Sequence, residues 1–264
     1  MRMTLVAVCL AAACVTVSAQ WLKFPTAGIP RNPDGSPNLA APAPKTADGK
    51  PDLSGFWEKE INRSCTHDCT GASQEYFDLG WSLEGGLPYQ PWARELVKAR
   101  MAKNGAEDPG TRCLPIGFLR IDTDEFYRKI VQIPGLLLML SERNTSYRQI
   151  FTDGRPLPSD PNPSWNGYSV GKWDKDSLMV ETNGFRNDLW LDRNGSPLTE
   201  SAKVTERFRR VNFGRMEVAI TVDDPKAYTK PWTVKLNLLL IPDTDLLDYT
   251  CLENEKDTAH FVGN

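Results

Sequence analysis

With only two histidines in 264 residues, any imidazole proton shuttle working near neutral pH must use His67 or His260. Beyond Gln20, no apolar run approaches the roughly 20 residues that a membrane-crossing helix needs. Positive charge is not in excess. Against 34 Asp and Glu stand 31 Lys and Arg, a net −3, which argues against a nucleic-acid or anionic-surface binder. A phosphate loop and a dinucleotide fingerprint are missing, which disfavours NTPase and dehydrogenase chemistry, and no cofactor is implied. Gly167-Tyr168-Ser169-Val170-Gly171 spells Gly-x-Ser-x-Gly, but it runs into the strand expected at Tyr168–Trp173 and not into a helix, which disfavours a serine hydrolase. A neutral small molecule is the partner that fits this composition.

The first residues have the pattern of an export signal. Met1-Arg2-Met3-Thr4 supplies positive charge, Leu5 to Val17 is apolar, and Val17-Ser18-Ala19 ends in small residues, which places the cut after Ala19. Lipid attachment at Cys14 is the rival, but Ala11 stands where an acylated cysteine has a large aliphatic residue. The expectation is therefore a bacterial protein of the periplasm or medium, without a membrane anchor once the signal is removed.

Of six cysteines, Cys65, Cys69, Cys113 and Cys251 lie after this cut, and in an oxidising compartment four read as two disulfides. Three pairings are possible; the favoured one joins Cys65 to Cys69 and Cys113 to Cys251. Cys65-x-His67-x-Cys69 also carries zinc-type donors, but its spacing is not a common zinc template and a disulfide is preferred, so no metal is expected.

Residues 20–50 are rich in Pro, Ala, Asn and Gly and predict a flexible tether or a surface wrap. Residues 51–264 are expected to form one mainly β domain. Short runs of β-forming residues, broken by Gly, Pro, Asn or Asp, predict about ten strands, starting at Gly55–Ile61 and ending at Leu246–Cys251. In Arg215–Val222, Met216, Val218, Ile220 and Val222 share one face and Glu217, Ala219 and Thr221 the other. Such strands predict an antiparallel up-and-down barrel around a shared hollow, with a β-sandwich as the alternative. After the first strand, residues 61–125 form an insertion with one helix, from Pro91 to the Asn104-Gly105 stop, expected to cap a barrel mouth.

Gly55-Phe56-Trp57 resembles the Gly-x-Trp of lipocalin-type barrels, which implies a lumen holding an apolar ligand. Pro51-Asp52-Leu53-Ser54-Gly55-Phe56-Trp57, Arg112-Cys113-Leu114-Pro115-Ile116-Gly117, the Trp165–Trp173 run, Asp223-Asp224-Pro225 and Cys251-Leu252-Glu253-Asn254 together resemble a family of exported, largely uncharacterised bacterial proteins. That resemblance implies export and a single domain, and brings no reaction with it.

Two sets of candidate residues follow. For ligand binding, Trp165, Trp173 and Trp232 offer aromatic surface near strand ends, alongside Asn166 and Arg148. Glu206 is placed to point inward, where it needs Arg148 or Arg155 as partner, although an ion pair on the outer face is the commoner outcome. For catalysis, His260 with Glu253 or Asp223 would make an acid–base pair for a cofactor-independent lyase, isomerase or hydrolase. Asp243, Asp245 and Asp248 crowd one connection; turn chemistry is the preferred reading over a paired-carboxylate or calcium site.

Overall fold

The computed structural model describes residues 25–61, 78–253 and 256. The proposed signal peptide, Cys65, His67, Cys69 and His260 lie outside them. Nine strands close into a barrel: β1 (Gly55–Lys59), β2 (Arg128–Ile133), β3 (Leu136–Ser141), β4 (Ser146–Phe151), β5 (Tyr168–Asp174), β6 (Ser177–Asn183), β9 (Lys203–Asn212), β10 (Arg215–Asp223) and β11 (Trp232–Leu240). Between β6 and β9 a small ribbon pairs β7 (Leu189–Trp190) with β8 (Pro197–Leu198).

Barrel order follows chain order, and β11 returns to β1 to close the ring. A ring of nine cannot alternate direction throughout, so one neighbouring pair must run parallel. That pair is β4 with β5, joined through Ile150↔Ser169 and Phe151↔Val170. The connection 152–167 carries the chain back along the barrel, held where Asn183 Nδ2 donates to the Pro158 carbonyl at 2.7 Å.

Alternation decides which side chains enter the barrel. Met216, Val218, Ile220 and Val222 of β10 are buried, as the sequence pattern predicts, and face Arg210, Phe208, Glu206 and Val204 of β9. Opposite them stand Leu238, Leu236, Val234 and Trp232 of β11, also buried. Among the described residues, inward side chains thus fill the middle of the barrel where the sequence pattern predicts a shared hollow. Gly55 begins β1 at φ 150°, a backbone conformation that side-chain-bearing residues rarely adopt, and a Cβ there would also press on Leu240 Cδ1 at 2.5 Å.

The barrel ends differ. Tight turns at 134–135, 175–176 and 213–214 make the lower end, while the segments 78–127, 184–202 and 224–231 crowd the upper. The predicted helix, α1 (Pro91–Ala102), buries Ala93 and Val97. It rests on the upper connections: Trp92 Nε1 donates to the Lys226 carbonyl at 2.7 Å, and Arg100 Nη1 to that of Gly195 at 2.6 Å. A second short helix, α2 (Phe118–Thr123), has every residue buried and plugs the upper mouth, with Phe118 against the guanidinium of inward-facing Arg148, 3.5 Å from its ring centroid.

Leu246–Cys251 is not the tenth strand that its composition suggests. The closed ring has no free edge to accept it, so the segment climbs the outer wall instead. Asp245 takes Lys129 Nζ at 2.7 Å, Leu247 N–H donates to Glu142 at 3.0 Å, and Cys251 ends in a disulfide with Cys113, 138 residues earlier. Residues 25–50 lie on the opposite end as a wrap. Arg31 pairs with Asp243, Gly214 N–H donates to the Leu39 carbonyl at 2.8 Å, and Ile29, Leu39 and Ala41 pack on the core.

Candidate functional site

A cavity of about 420 Å³ opens at the lower mouth. Its inner wall is Leu137 of β3 and Leu178 of β6, both buried, and partly exposed Trp173 of β5 stands across from Leu178 in the register. The outer wall is the wrap: residues 46–50 form a turn in which Thr46 N–H donates to the Lys50 carbonyl (2.8 Å) and Gly49 N–H to that of Thr46 (2.9 Å). Gln132, at an inward position of β2, latches this strap. Its Oε1 accepts from Leu53 N–H at 2.9 Å and its Nε2 donates to the Pro51 carbonyl at 3.2 Å, while its own N–H donates to Ser54 Oγ at 3.1 Å. The result is an apolar recess with an aromatic wall and a polar rim, the composition of a small-molecule pocket.

The upper interior is ionic and closed. Arg148 donates from Nη1 to Glu206 Oε1 at 3.0 Å and from Nη2 to Oε2, and also reaches Ser169 Oγ (3.1 Å) and Thr182 Oγ1 (3.0 Å). Glu206 is therefore inside the barrel, with Arg148 and not Arg155 as its partner; Arg155 pairs with Asp153 outside. Nearby, Arg128 donates to the Asp122 carbonyl at 2.8 Å and to its carboxylate at 3.3 Å. Burial, with a smaller push from Glu206, raises the Asp122 carboxyl to about 6 against the opposing charges of Arg128 and Arg148. A crevice of only about 20 Å³ beside Arg148, Asp122 and Asn166 gives space on the scale of a water molecule.

The expected ligand-binding residues are thus divided. Trp173 lines the lower cavity; Arg148, Glu206 and Asn166 belong to the closed upper cluster. Trp165 lies under the Arg186 guanidinium, 4.5 Å from its ring centroid, and buried Trp232 packs edge-on against Tyr228. Asp223 is exposed at the end of β10, and Glu253 sits in an exposed turn, so neither carboxylate borders these two cavities. Its neighbour Asp224 does the turn chemistry, accepting from Thr199 N–H and Oγ1, both at 2.8 Å. The downstream aspartates are dispersed into ion pairs, Asp243 with Arg31 and Asp245 with Lys129, and no three metal-ligating side chains gather among the described residues.

Gln132, Leu137, Leu178 and the 46–50 turn did not emerge from the sequence pattern as a site. Gln132 carried a weak signal, a polar residue sharing the inward face of its strand with Ile130. Compared with known proteins, the chain matches no family model and no curated protein. Among the described residues no helix is long and apolar enough to cross a membrane.

Proposed function

We propose that this is an exported bacterial protein of the periplasm or medium that binds one small apolar or aromatic molecule at the lower mouth of its barrel. The observation that carries this reading is the 420 Å³ recess walled by Leu137, Leu178 and Trp173 and roofed by the strap at 46–50. Its volume falls in the range of about 300–1,000 Å³ common to small-molecule sites. Export is supported by the signal-like first nineteen residues and by the Cys113–Cys251 disulfide, a bond that persists in oxidising compartments. The resemblance to lipocalin-type barrels points the same way, with one difference: the ligand occupies the mouth, because the lumen above is filled.

A titration with N-phenyl-1-naphthylamine, a neutral fluorophore that brightens on leaving water, tests the proposal. Saturable one-to-one enhancement is expected for the wild type, with affinity at least about tenfold weaker in Trp173→Ala, the scale of a lost aromatic contact. No saturable signal, or the same signal in both proteins, refutes it.

A further inference from the structure

A second cavity, of about 370 Å³, lies at the lower rim between the wrap and the outer side of β1, β2 and β11. Ile29, Phe56, Val131, Phe213 and Ile241 supply apolar walls, and Arg210 supplies a charge. Arg210 occupies the last inward position of β9, is 6% exposed, and is held between Trp57 and Phe213, 4.9 and 5.0 Å from their ring centroids. All its hydrogen bonds go to main-chain carbonyls: Nε to Asn212 and Phe213, Nη1 to Asp52 (2.6 Å) and Ser54 (3.0 Å), Nη2 to Phe213 (2.5 Å).

A guanidinium has five N–H groups, and this set engages Nε–H, both on Nη1 and one on Nη2. One Nη2–H is left. No carboxylate hydrogen-bonds Arg210 among the described residues. Asp52 also lines the cavity and its charge favours the guanidinium, but no side-chain bond joins them; its Oδ1 accepts from Ser54 N–H at 2.8 Å. The other cation on the wall, Lys129, is already paired with Asp245. A buried arginine normally finds an anion, since an uncompensated charge in an apolar setting is costly.

We propose that this cavity binds a monocarboxylate with an apolar tail, its carboxylate taken by Arg210 and its tail by Phe56, Val131 and Ile241. One free Arg210 donor, with Lys129 already paired, suits a single carboxylate and not a phosphate dianion, which requires more donors. This site is distinct from the recess at Trp173, and its occupancy does not depend on that reading.

Isothermal titration of the full chain with dodecanoate and with 1-dodecanol separates the outcomes. Dodecanoate should bind one-to-one, at least about tenfold more tightly than the alcohol, because a hydrogen bond to a charged group is worth more than a neutral one. Arg210→Met should erase that preference. Because Arg210 also staples the barrel end, Val131→Trp provides a second variant: it fills the cavity from the outer face, and should weaken dodecanoate by a similar factor while Trp173→Ala leaves it unchanged. Equal binding of acid and alcohol, no binding, or an unaffected Val131→Trp protein overturns the proposal. Loss in Trp173→Ala instead overturns it too, by placing the acid in the first recess.

Discussion

At the scale of the residue, the upper barrel buries its charges in pairs, Arg148 with Glu206 and Arg128 with Asp122. Arg148 and Glu206 are almost wholly removed from water, and their pairing is completed by Ser169 and Thr182. Breaking such a pair leaves one charge buried alone. Glu206→Gln should therefore lower unfolding free energy by about 3–5 kcal/mol in urea titrations, and adding Arg148→Met should recover part of that loss. A double variant no more stable than the single one would show that the pair does not act as a unit. Asp122 responds to pH in a defined direction. It holds its proton more tightly in the fold, at about 6, than in an unfolded chain, at about 3.9. Its favourable contribution is thus present below about pH 4 and lost as pH rises through about 6. Asp122→Asn removes this titration, so the stability of the variant relative to wild type should rise between about pH 4 and 7, by on the order of 2 kcal/mol. A difference that is flat with pH would contradict the assignment.

At the scale of the element, the seams of the barrel are unequal. β9 and β10 pair from Lys203↔Asp223 to Asn212↔Arg215, whereas β4 and β5 share two residue pairs. Hydrogen exchange should therefore be faster at Ser169 and Val170 than at Val218 and Ile220, since short ladders open at lower cost. Uniform protection around the ring would argue against this. The C-terminal segment depends on its disulfide. Closing a span of 138 residues is worth about 5 kcal/mol in the loop-entropy picture, so Cys251→Ala should lower the melting temperature by roughly 10 °C or more. The strands with clean alternation, β9 and β10 above all, were legible in the sequence, and so was α1, because Pro91 and Asn104-Gly105 bracket it. Leu246–Cys251 misled because β-propensity is local while strand pairing needs a free edge, and closure had consumed both edges. Helix α2 was hidden for the opposite reason: Phe118–Thr123 mixes Arg120 and Asp122 with apolar residues, and their burial depends on Asp108 and Arg128, which only the fold brings near.

At the scale of the whole molecule, the two ends of the barrel are built differently. The upper end is stopped by α2 and locked by ion pairs, and the crevice beside Arg148 measures only about 20 Å³. The lower end is spanned by a strap latched through Gln132, and it keeps open space on apolar walls. Trp173 was visible in the sequence as an aromatic residue near a turn. Its partners were not, because Leu137 and Leu178 look like ordinary core residues, and only barrel closure with the wrap across its mouth makes them a surface. The most direct measurement is methyl and indole NMR of the protein titrated with N-phenyl-1-naphthylamine. Binding at the lower mouth should shift the Leu137 and Leu178 methyls and the Trp173 indole N–H together while the Ile220 methyls, deeper in the packed barrel, stay still. Shifts centred on the upper end, or none at saturating probe, would contradict it.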